Sequence, residues 1–150
     1  MNKTSTTNLT QKQDTFPTKV TKSANPLRLG ILGAAKIAPK AVILPALSHP
    51  DITVTAVAAR SLKKAQVYAT KHGLAKAYEG YQTLIDDPDV DIVYNALPNG
   101  LHYEWTLKAL RAGKHVLNEK PSANTEAETE QLFEAAKEKG VVLLDAYHHR

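Results

Sequence analysis

Short apolar runs alternate with amphipathic stretches along the chain from residue 27 onward. The runs span residues 27–33, 52–59, 91–97, 115–118 and 141–146, and several of them are continuous apolar blocks. Continuous blocks are typical of strands that are covered on both faces of a sheet. Because strands alternating with helices indicate βαβ units, the pattern predicts an α/β fold with a doubly wound parallel sheet.

The stretches between the runs predict helices with recognisable ends. Residues 36–48 predict the first crossover helix, with a bend at Pro45, because proline lacks the amide donor of a regular helical turn. A short helix is expected over residues 81–86. Three longer helices are predicted from a polar residue at the start and a glycine at the end: Ser61 to Gly73, Asn99 to Gly113, and Thr125 to Gly140, the last with capping-box spacing.

A polar segment precedes this pattern. Residues 1–25 are rich in Thr, Lys, Asn and Gln, with Phe16 as their only large aromatic residue, so they bury too little apolar area to offset the cost of ordering. We expect a disordered tail over residues 1–26 and one domain over residues 27–150. Of the formal net charge of +4, the tail carries most, with four lysines and one aspartate. Since this excess lies on a tail without aromatic platforms or an arginine cluster, we expect no nucleic-acid partner.

Several protein classes are excluded by composition. The chain contains no cysteine, which rules out disulfides, thiol nucleophiles and cysteine-ligated zinc. No apolar run approaches the roughly 18 residues of a membrane helix, and the amino terminus has neither a signal-peptide core nor the arginines of a mitochondrial presequence. We therefore expect a cytoplasmic protein without a membrane partner. No metal site is expected either, because the adjacent His148 and His149 would point to opposite faces of a strand.

The first apolar run continues into Gly33-Ala34-Ala35-Lys36-Ile37-Ala38, between a predicted strand and a predicted helix. In the dinucleotide fingerprint GxGxxG/A, the first glycine forms a tight turn, the second lets the backbone approach the pyrophosphate, and the third small residue lets the helix pack closely on the strand. Ala35 departs from this pattern by placing a methyl group at the second position. Taken alone, the segment is explained equally well by an ordinary strand–turn–helix with small residues for packing. Its position after a strand and before a helix and a second strand favours a dinucleotide site at residues 33–37.

The second run ends in Ala59-Arg60-Ser61, where an NAD enzyme usually has an acidic residue that binds the ribose 2′-hydroxyl. A guanidinium beside a hydroxyl, with Lys64 one turn further on, suits a 2′-phosphate instead. The alternative is that Arg60 is simply solvated at the start of a helix. We predict that Arg60, Ser61 and Lys64 bind the 2′-phosphate, which makes NADP the expected cofactor in preference to NAD.

Two further strand ends complete an ordered set of motifs. Pro98-Asn99-Gly100-Leu101-His102 follows the run at 91–97, and Glu119-Lys120-Pro121 follows the run at 115–118. Together with GILGAAKIA at residues 30–38, these motifs resemble the Gfo/Idh/MocA family, the glucose-fructose oxidoreductase and inositol dehydrogenase group. The resemblance covers residues 27–150. Within the family it is strongest to the NADP-dependent D-xylose 1-dehydrogenases and the dimeric dihydrodiol dehydrogenases.

The resemblance implies a Rossmann domain that binds a nicotinamide cofactor, with hydride passing between a sugar-like secondary alcohol and C4 of the ring. It also implies that Lys120 lies near the nicotinamide and the substrate hydroxyl, oriented by Glu119 and followed by a cis peptide bond to Pro121. An ammonium there can polarise an alkoxide and ease removal of the hydroxyl proton. Further cofactor contacts are implied along the other motif, at Leu97, Pro98, Asn99 and His102. Without the family, Lys120 is a surface lysine at a strand end, and Asn99 is equally well explained as a helix cap.

Family members are more than twice as long as this chain, and their second α/β domain supplies the sugar pocket, a further acid–base residue and the dimerisation sheet. The family pattern EAFxYR is altered here to DAYHHR at residues 145–150. We therefore expect the amino-terminal part of an NADP-dependent enzyme that acts on D-xylose, another aldose or a dihydrodiol, homodimeric at full length and inactive as this chain. The alternative is a stand-alone dinucleotide-binding module or decayed enzyme. A methyltransferase-like protein is disfavoured by Arg60.

Overall fold

Six parallel strands form one sheet in the order β3-β2-β1-β4-β5-β6, in a computed structural model that describes residues 17–147. The strands are β1 (Leu27–Leu32), β2 (Ile52–Ala59), β3 (Lys76–Glu79), β4 (Ile92–Asn95), β5 (His115–Glu119) and β6 (Leu143–Ala146). The order turns back between β1 and β4, which leaves a crevice at the carboxyl ends of these strands. We call this side of the sheet the carboxyl edge.

Helices cover both faces of the sheet. They are α1 (Leu44–Leu47), which continues a π-helical turn over Pro39–Ile43, α2 (Leu62–His72), α3 (Tyr81–Ile85), α4 (His102–Arg111), which follows a 3₁₀ turn over Asn99–Leu101, and α5 (Glu126–Lys139). One buried core packs Leu84, Leu110 and Leu132 of α3, α4 and α5 against the sheet. The other packs the first two crossover segments against the opposite face. The doubly wound α/β fold is thus confirmed. Within residues 17–147, no helix has the length and apolar character needed to cross a membrane.

The apolar pattern predicts five of the six strands. The strand that it does not predict is β3, which has only four residues, two of them Lys76 and Glu79, and which lies at the edge of the sheet beyond β2. An edge strand needs no continuous apolar run, because one side of its backbone faces no other strand. The strand places Glu79 directly beside Ala59 of β2, next to the predicted 2′-phosphate residues.

Most predicted helix ends are confirmed. Gly73 and Gly140 end α2 and α5 with left-handed φ angles of 67° and 65°. At the start of α5, the Thr125 hydroxyl accepts the Glu128 amide at 3.1 Å, as its capping-box spacing predicts. The expected irregularity near Pro45 takes the form of the π-helical turn, which ends two residues before it.

Two predicted caps are wrong. Ser61 stands at the start of α2, but its hydroxyl makes no capping bond. The first amide of α2, at Leu62, donates to the Glu79 carboxylate at 3.4 Å. Asn99 does not cap α4, because residues 99–101 form a 3₁₀ turn and α4 begins only at His102. Neither polar side chain is committed to a helix end, so both stay free for a ligand.

The expected disorder of residues 1–26 stays a prediction. Residues 1–16 lie outside the described part, and residues 17–26 make several hydrogen bonds to the connection between α1 and β2. The Lys22 ammonium donates to three backbone carbonyls at the end of α1 and the start of β2, among them His49 O at 2.8 Å and Ile52 O at 2.9 Å. The amides of Val20 and Ser23 donate to carbonyls of the same connection, each at 3.0 Å. Composition describes side chains only, so it does not predict hydrogen bonds to backbone carbonyls.

An ion cluster lies at the opposite, amino end of the strands. Lys76 bonds to the carboxylates of Asp87 at 2.8 Å and Asp89 at 2.9 Å, and Arg28 bonds to Asp89 at 2.8 Å and Asp91 at 2.9 Å. Burial of Asp87 by itself would raise the pKa of its carboxyl. Hydrogen bonds from Lys76, the Tyr78 hydroxyl and the Asp89 amide outweigh this and lower the pKa to about 2.

We expect the protein to lose stability as the pH falls from about 4 to about 2. The pKa of Asp87 in the folded state lies below its ordinary value of 3.8, so its ionised form stabilises the fold above that value, and this contribution is lost as the pH falls towards 2. Urea midpoints measured at several pH values will test this. Asp87→Asn should be less stable at neutral pH and lose less over the window, whereas Asp51→Asn, on an exposed turn, should follow the parent protein. Parallel declines for Asp87→Asn and the parent would contradict the assignment.

Candidate functional site

The turn after β1 is shaped by Gly33. Its φ of 92° lies in the left-handed region, where a side chain is strained. A Cβ there would also lie 3.1 Å from the Leu97 side chain and 3.5 Å from the Ala96 carbonyl oxygen. Gly33 therefore lets the β1 exit lie directly against the β4 exit, as the first position of the dinucleotide fingerprint requires.

The residues after Gly33 leave backbone donors unused. The Ala35 amide turns back to the Gly33 carbonyl at 2.8 Å, and the Ala35 carbonyl accepts the Tyr68 hydroxyl of α2 at 2.9 Å. The amides of Ala34, Lys36 and Ile37 make no hydrogen bond to any described residue. Three free amides on one tight turn are suited to oxygens of a diphosphate.

Basic side chains surround the β2 exit. Arg60 is exposed and forms no ion pair with the part of the chain that the structure describes, and the Ser61 hydroxyl beside it has no partner there either. Lys64 projects from the first turn of α2. It lines a cavity of about 550 Å³ between α2 and the β1 turn, together with Ala34, Lys63, Val67, Tyr68 and Lys71. Of the three predicted phosphate contacts, Lys64 thus lines this cavity, together with two lysines that the sequence interpretation did not consider, Lys63 and Lys71.

An acidic residue, Glu79, also lies at the β2 exit, close to the start of α2. Glu79 is the direct strand neighbour of Ala59, and its carboxylate lies 3.4 Å from the Leu62 amide at the start of α2. The sequence interpretation missed it because Glu79 belongs to the strand that the apolar pattern does not predict. Opposite charges therefore flank the place where the ribose of a dinucleotide is expected.

A buried polar network joins the ends of β4 and β5. The Thr106 hydroxyl of α4 accepts the Asn95 amide nitrogen at 3.0 Å and donates to the Asn118 side-chain oxygen at 3.0 Å. Asn95 also holds the Leu97 amide, at 3.2 Å, and Asn118 donates to the Ser122 carbonyl at 2.7 Å. Asn95, Thr106 and Asn118 are completely buried. Their hydrogen bonds fix both strand exits from below.

His102 also lies beneath the two exits. Its side chain is only 1% exposed, and its two ring nitrogens lie 2.6 Å from the Leu97 carbonyl oxygen and 2.7 Å from the Pro121 carbonyl oxygen. Pro98 and Asn99, by contrast, are exposed at the rim of the crevice. Of the four residues predicted on this motif, Leu97 and His102 are therefore buried, whereas Pro98 and Asn99 face solvent.

Glu119 and Lys120 diverge at the β5 exit. The half-buried Glu119 carboxylate accepts the Tyr94 hydroxyl at 2.5 Å, and burial together with this bond raises the pKa of Tyr94 far above its usual value. Lys120 is exposed, and its ammonium makes no hydrogen bond to residues 17–147. No hydrogen bond joins Glu119 to Lys120 in the described part of the chain, since successive side chains at a strand end point to opposite faces. The orientation of Lys120 by Glu119 stays a prediction. The peptide bond between Lys120 and Pro121 is cis, as expected.

A second cavity, of about 350 Å³, opens beside Glu119. It is lined by Ile37, Lys40, Ala41, Tyr94, Leu117, Glu119, Ala146 and Tyr147. Tyr94, Leu117 and Leu144 stand side by side across β4, β5 and β6, and this apolar row passes from full burial at Tyr94 to 59% exposure at Leu144. Within the described residues, this face of β5 and β6 carries no helix, so the cavity has an open side.

All fourteen predicted site residues lie at the carboxyl edge, in four groups that follow β1, β2, β4 and β5. The groups are Gly33, Ala34, Ala35, Lys36 and Ile37; Arg60, Ser61 and Lys64; Leu97, Pro98, Asn99 and His102; and Glu119 and Lys120. Whether each of them contacts a ligand stays a prediction. The sequence interpretation missed three further residues near the site, Tyr68, Tyr94 and Thr106. They belong to helices and to the interior of a strand, so their side chains reach the site only in the folded chain.

Comparisons with known proteins agree with this geometry. A family model described as an oxidoreductase family with an NAD-binding Rossmann fold matches residues 27–147. A dTDP-3,4-didehydro-2,6-dideoxy-alpha-D-glucose 3-reductase from Streptomyces violaceoruber is 45% identical over 132 residues, covering 86% of this chain and 38% of the relative. An NADP⁺-dependent D-xylose 1-dehydrogenase from Haloferax volcanii is 39% identical over 124 residues, covering 83% of this chain and 38% of the relative.

Among solved structures, a variant of a 3-ketoreductase from Actinomadura kijaniata in complex with TDP-benzene and NADP superposes with a TM-score of 0.77 at 40% identity. The match covers 82% of this chain and 39% of that chain. The nucleotide-binding Rossmann fold and the predicted family resemblance are therefore confirmed. The chain spans less than two fifths of the length of these relatives. The sequence identity is higher to the sugar reductase than to the xylose dehydrogenase.

Proposed function

Because the chain belongs to the Gfo/Idh/MocA oxidoreductase family, we propose that residues 27–147 are the NADP-binding domain of an oxidoreductase acting on a sugar-like alcohol or ketone. The residues at the carboxyl edge fit this cofactor. Gly33 opens a turn that a Cβ would obstruct, and the free amides of Ala34, Lys36 and Ile37 are suited to the diphosphate. Arg60, Ser61 and Lys64 would hold the 2′-phosphate.

The nicotinamide half would lie over the β4 and β5 exits, between Asn99 and Lys120. The bound cofactor supplies C4 of its nicotinamide ring as the hydride donor or acceptor. The exposed Lys120 ammonium would donate a hydrogen bond to the reacting oxygen of the substrate and stabilise the negative charge that develops there. Glu119, held by Tyr94, would form the wall on the other side.

Sugar-like alcohols and ketones are the proposed substrates, because the relatives named above include a reductase of a dTDP-linked sugar and a D-xylose dehydrogenase. These reactions interconvert the same two groups in opposite directions, and Lys120 would serve both. We propose that the substrate pocket and a homodimer interface require the part of the relatives that this chain does not match. The chain alone would then bind cofactor without turnover, because positioning the alcohol accounts for roughly 7–11 kcal/mol of such a barrier.

The single observation that carries the proposal is the Gly33 turn with its three free amides beside the unpaired Arg60. We expect a fluorescence titration of the 150-residue protein to show saturable binding of NADPH, with a weaker affinity for NADH. Saturation by neither cofactor would refute the proposal, and tighter binding of NADH would refute the assignment to NADP. Formation of NADPH from D-xylose by this chain would show that the chain is active by itself.

A further inference from the structure

The hydrogen bonds of His102 are unusual in that both partners are backbone carbonyl oxygens. The ring nitrogens lie 2.6 Å from Leu97 O and 2.7 Å from Pro121 O, and the ring is 1% exposed. A carbonyl oxygen only accepts hydrogen bonds, so each nitrogen must donate. A neutral imidazole carries one N–H, and its other nitrogen would turn a lone pair towards an oxygen at this distance. Only the doubly protonated ring satisfies both contacts.

The other histidines with ring hydrogen bonds show the opposite arrangement. The Nδ1 atom of His49 accepts the Asp51 amide at 3.2 Å, and the Nδ1 atom of His115 accepts the Val142 amide at 3.0 Å. A nitrogen that accepts a hydrogen bond offers its lone pair, so in these two contacts Nδ1 carries no proton. The same hydrogen-bond rule therefore distinguishes His102 from two other histidines of the same chain.

We propose that His102 is a buried imidazolium that ties the β4 exit to the β5 exit and thereby positions the cofactor site. Its two bonds span Leu97, which precedes the exposed Pro98 and Asn99, and Pro121, which follows Lys120. With both nitrogens occupied, the ring exchanges no proton with a substrate, so His102 is a positioning residue. The positioning role rests on the proposed function, whereas the charge state does not.

No carboxylate bonds to this cation among the described residues. On α4 itself, Glu104 bonds to Lys108, and Tyr103 bonds to Gln131 of α5. The β4 exit offers the neutral Asn95, which donates to the His102 carbonyl at 3.2 Å. At the β5 exit, Glu119 is bound to Tyr94 and Lys120 is exposed. The two backbone carbonyl oxygens, through the negative ends of their dipoles, are therefore the groups that would stabilise the charge on the buried ring.

The charge state can be read directly by NMR of the 150-residue protein with ¹⁵N-labelled histidine. At neutral pH we expect the His102 ring to show two one-bond N–H correlations that are protected from exchange, one for each ring nitrogen. His49 and His115 provide the comparison in the same spectrum, since their Nδ1 atoms should show none. A single N–H on the His102 ring would overturn the proposed imidazolium.

The positioning role is tested by NADPH titration of His102→Gln, which keeps a hydrogen-bond donor but cannot span both carbonyls. Loss of a charge-assisted bond at each exit should weaken NADPH binding by about 10-fold or more. The matched control is His49→Gln at an exposed site, which should stay within about twofold of the parent. A folded His102→Gln protein with unchanged affinity would overturn the role. If the parent protein itself binds no dinucleotide, the proposed function and the positioning role both fail, while the NMR result still decides the charge state.

Discussion

Arg60→Ala is expected to weaken NADPH binding by about 10- to 100-fold and to leave NADH binding within about threefold. A guanidinium makes charge-assisted hydrogen bonds to a phosphate, each contributing about 1.5–3 kcal/mol, and about 1.4 kcal/mol corresponds to a tenfold change in affinity. NADH lacks the 2′-phosphate, so it loses none of these bonds. Because Arg60 is exposed, both titrations should be made at one fixed ionic strength.

Two variants bracket this result. Arg111→Ala removes the same side chain from an exposed position at the end of α4, remote from the site, and should leave both affinities within about twofold. Glu79→Gln should act in the opposite direction and tighten NADPH binding, because the carboxylate at the start of α2 repels a 2′-phosphate. Equal losses for NADPH and NADH in Arg60→Ala would show that Arg60 does not contact the phosphate.

Thr106→Val is expected to lower the free energy of unfolding by about 2–3 kcal/mol, because burying unpaired polar groups costs about 1–3 kcal/mol each. Valine keeps the shape of threonine but removes the hydroxyl that links Asn95 to Asn118. The Asn118 oxygen then has lost its donor, and the Asn95 amide keeps only its bond to the His102 carbonyl. Urea unfolding followed by circular dichroism measures the change.

The matched control is Thr70→Val, on the exposed surface of α2, which should change the stability by no more than about 0.5 kcal/mol. Cofactor binding by Thr106→Val provides a second measurement, since the network fixes both strand exits under the nicotinamide end of the site. If Thr106→Val matched Thr70→Val in stability, the network would contribute nothing to the fold.

The fold could be predicted where local pattern and tertiary structure agree. Continuous apolar runs are typical of strands buried on both faces, and the runs over residues 27–33, 52–59 and 91–97 therefore mark the strands β1, β2 and β4 that build the crevice. The dinucleotide turn was equally accessible, because Gly33 needs a backbone conformation that few residues adopt. In both cases the physical requirement concerns residues that can be recognised locally in the sequence, without knowledge of their partners in the fold.

The remaining features depend on contacts between distant residues. The first amide of α2, at Leu62, is bound by the carboxylate of Glu79, seventeen residues later, and no local signal in the sequence announces this contact. Glu119 and Lys120 are adjacent in sequence, yet strand geometry turns Glu119 to Tyr94 and leaves Lys120 exposed to solvent. His102 looks like a surface residue of a first helical turn until the two strand exits close around it. Contacts of this kind form only when the strands have assembled into the sheet, so local sequence patterns do not predict them.

The open face beside Tyr94 also bears on how the protein responds to temperature. Apolar surface raises the heat capacity of unfolding by about 0.45 cal/mol/K for each square ångström newly exposed to water. Leu144 and part of Leu117 already meet water in the folded chain, so their surface contributes little to this term. The curve of the free energy of unfolding against temperature is correspondingly flatter, with a weaker decline on cooling than the same sheet would have with that face covered.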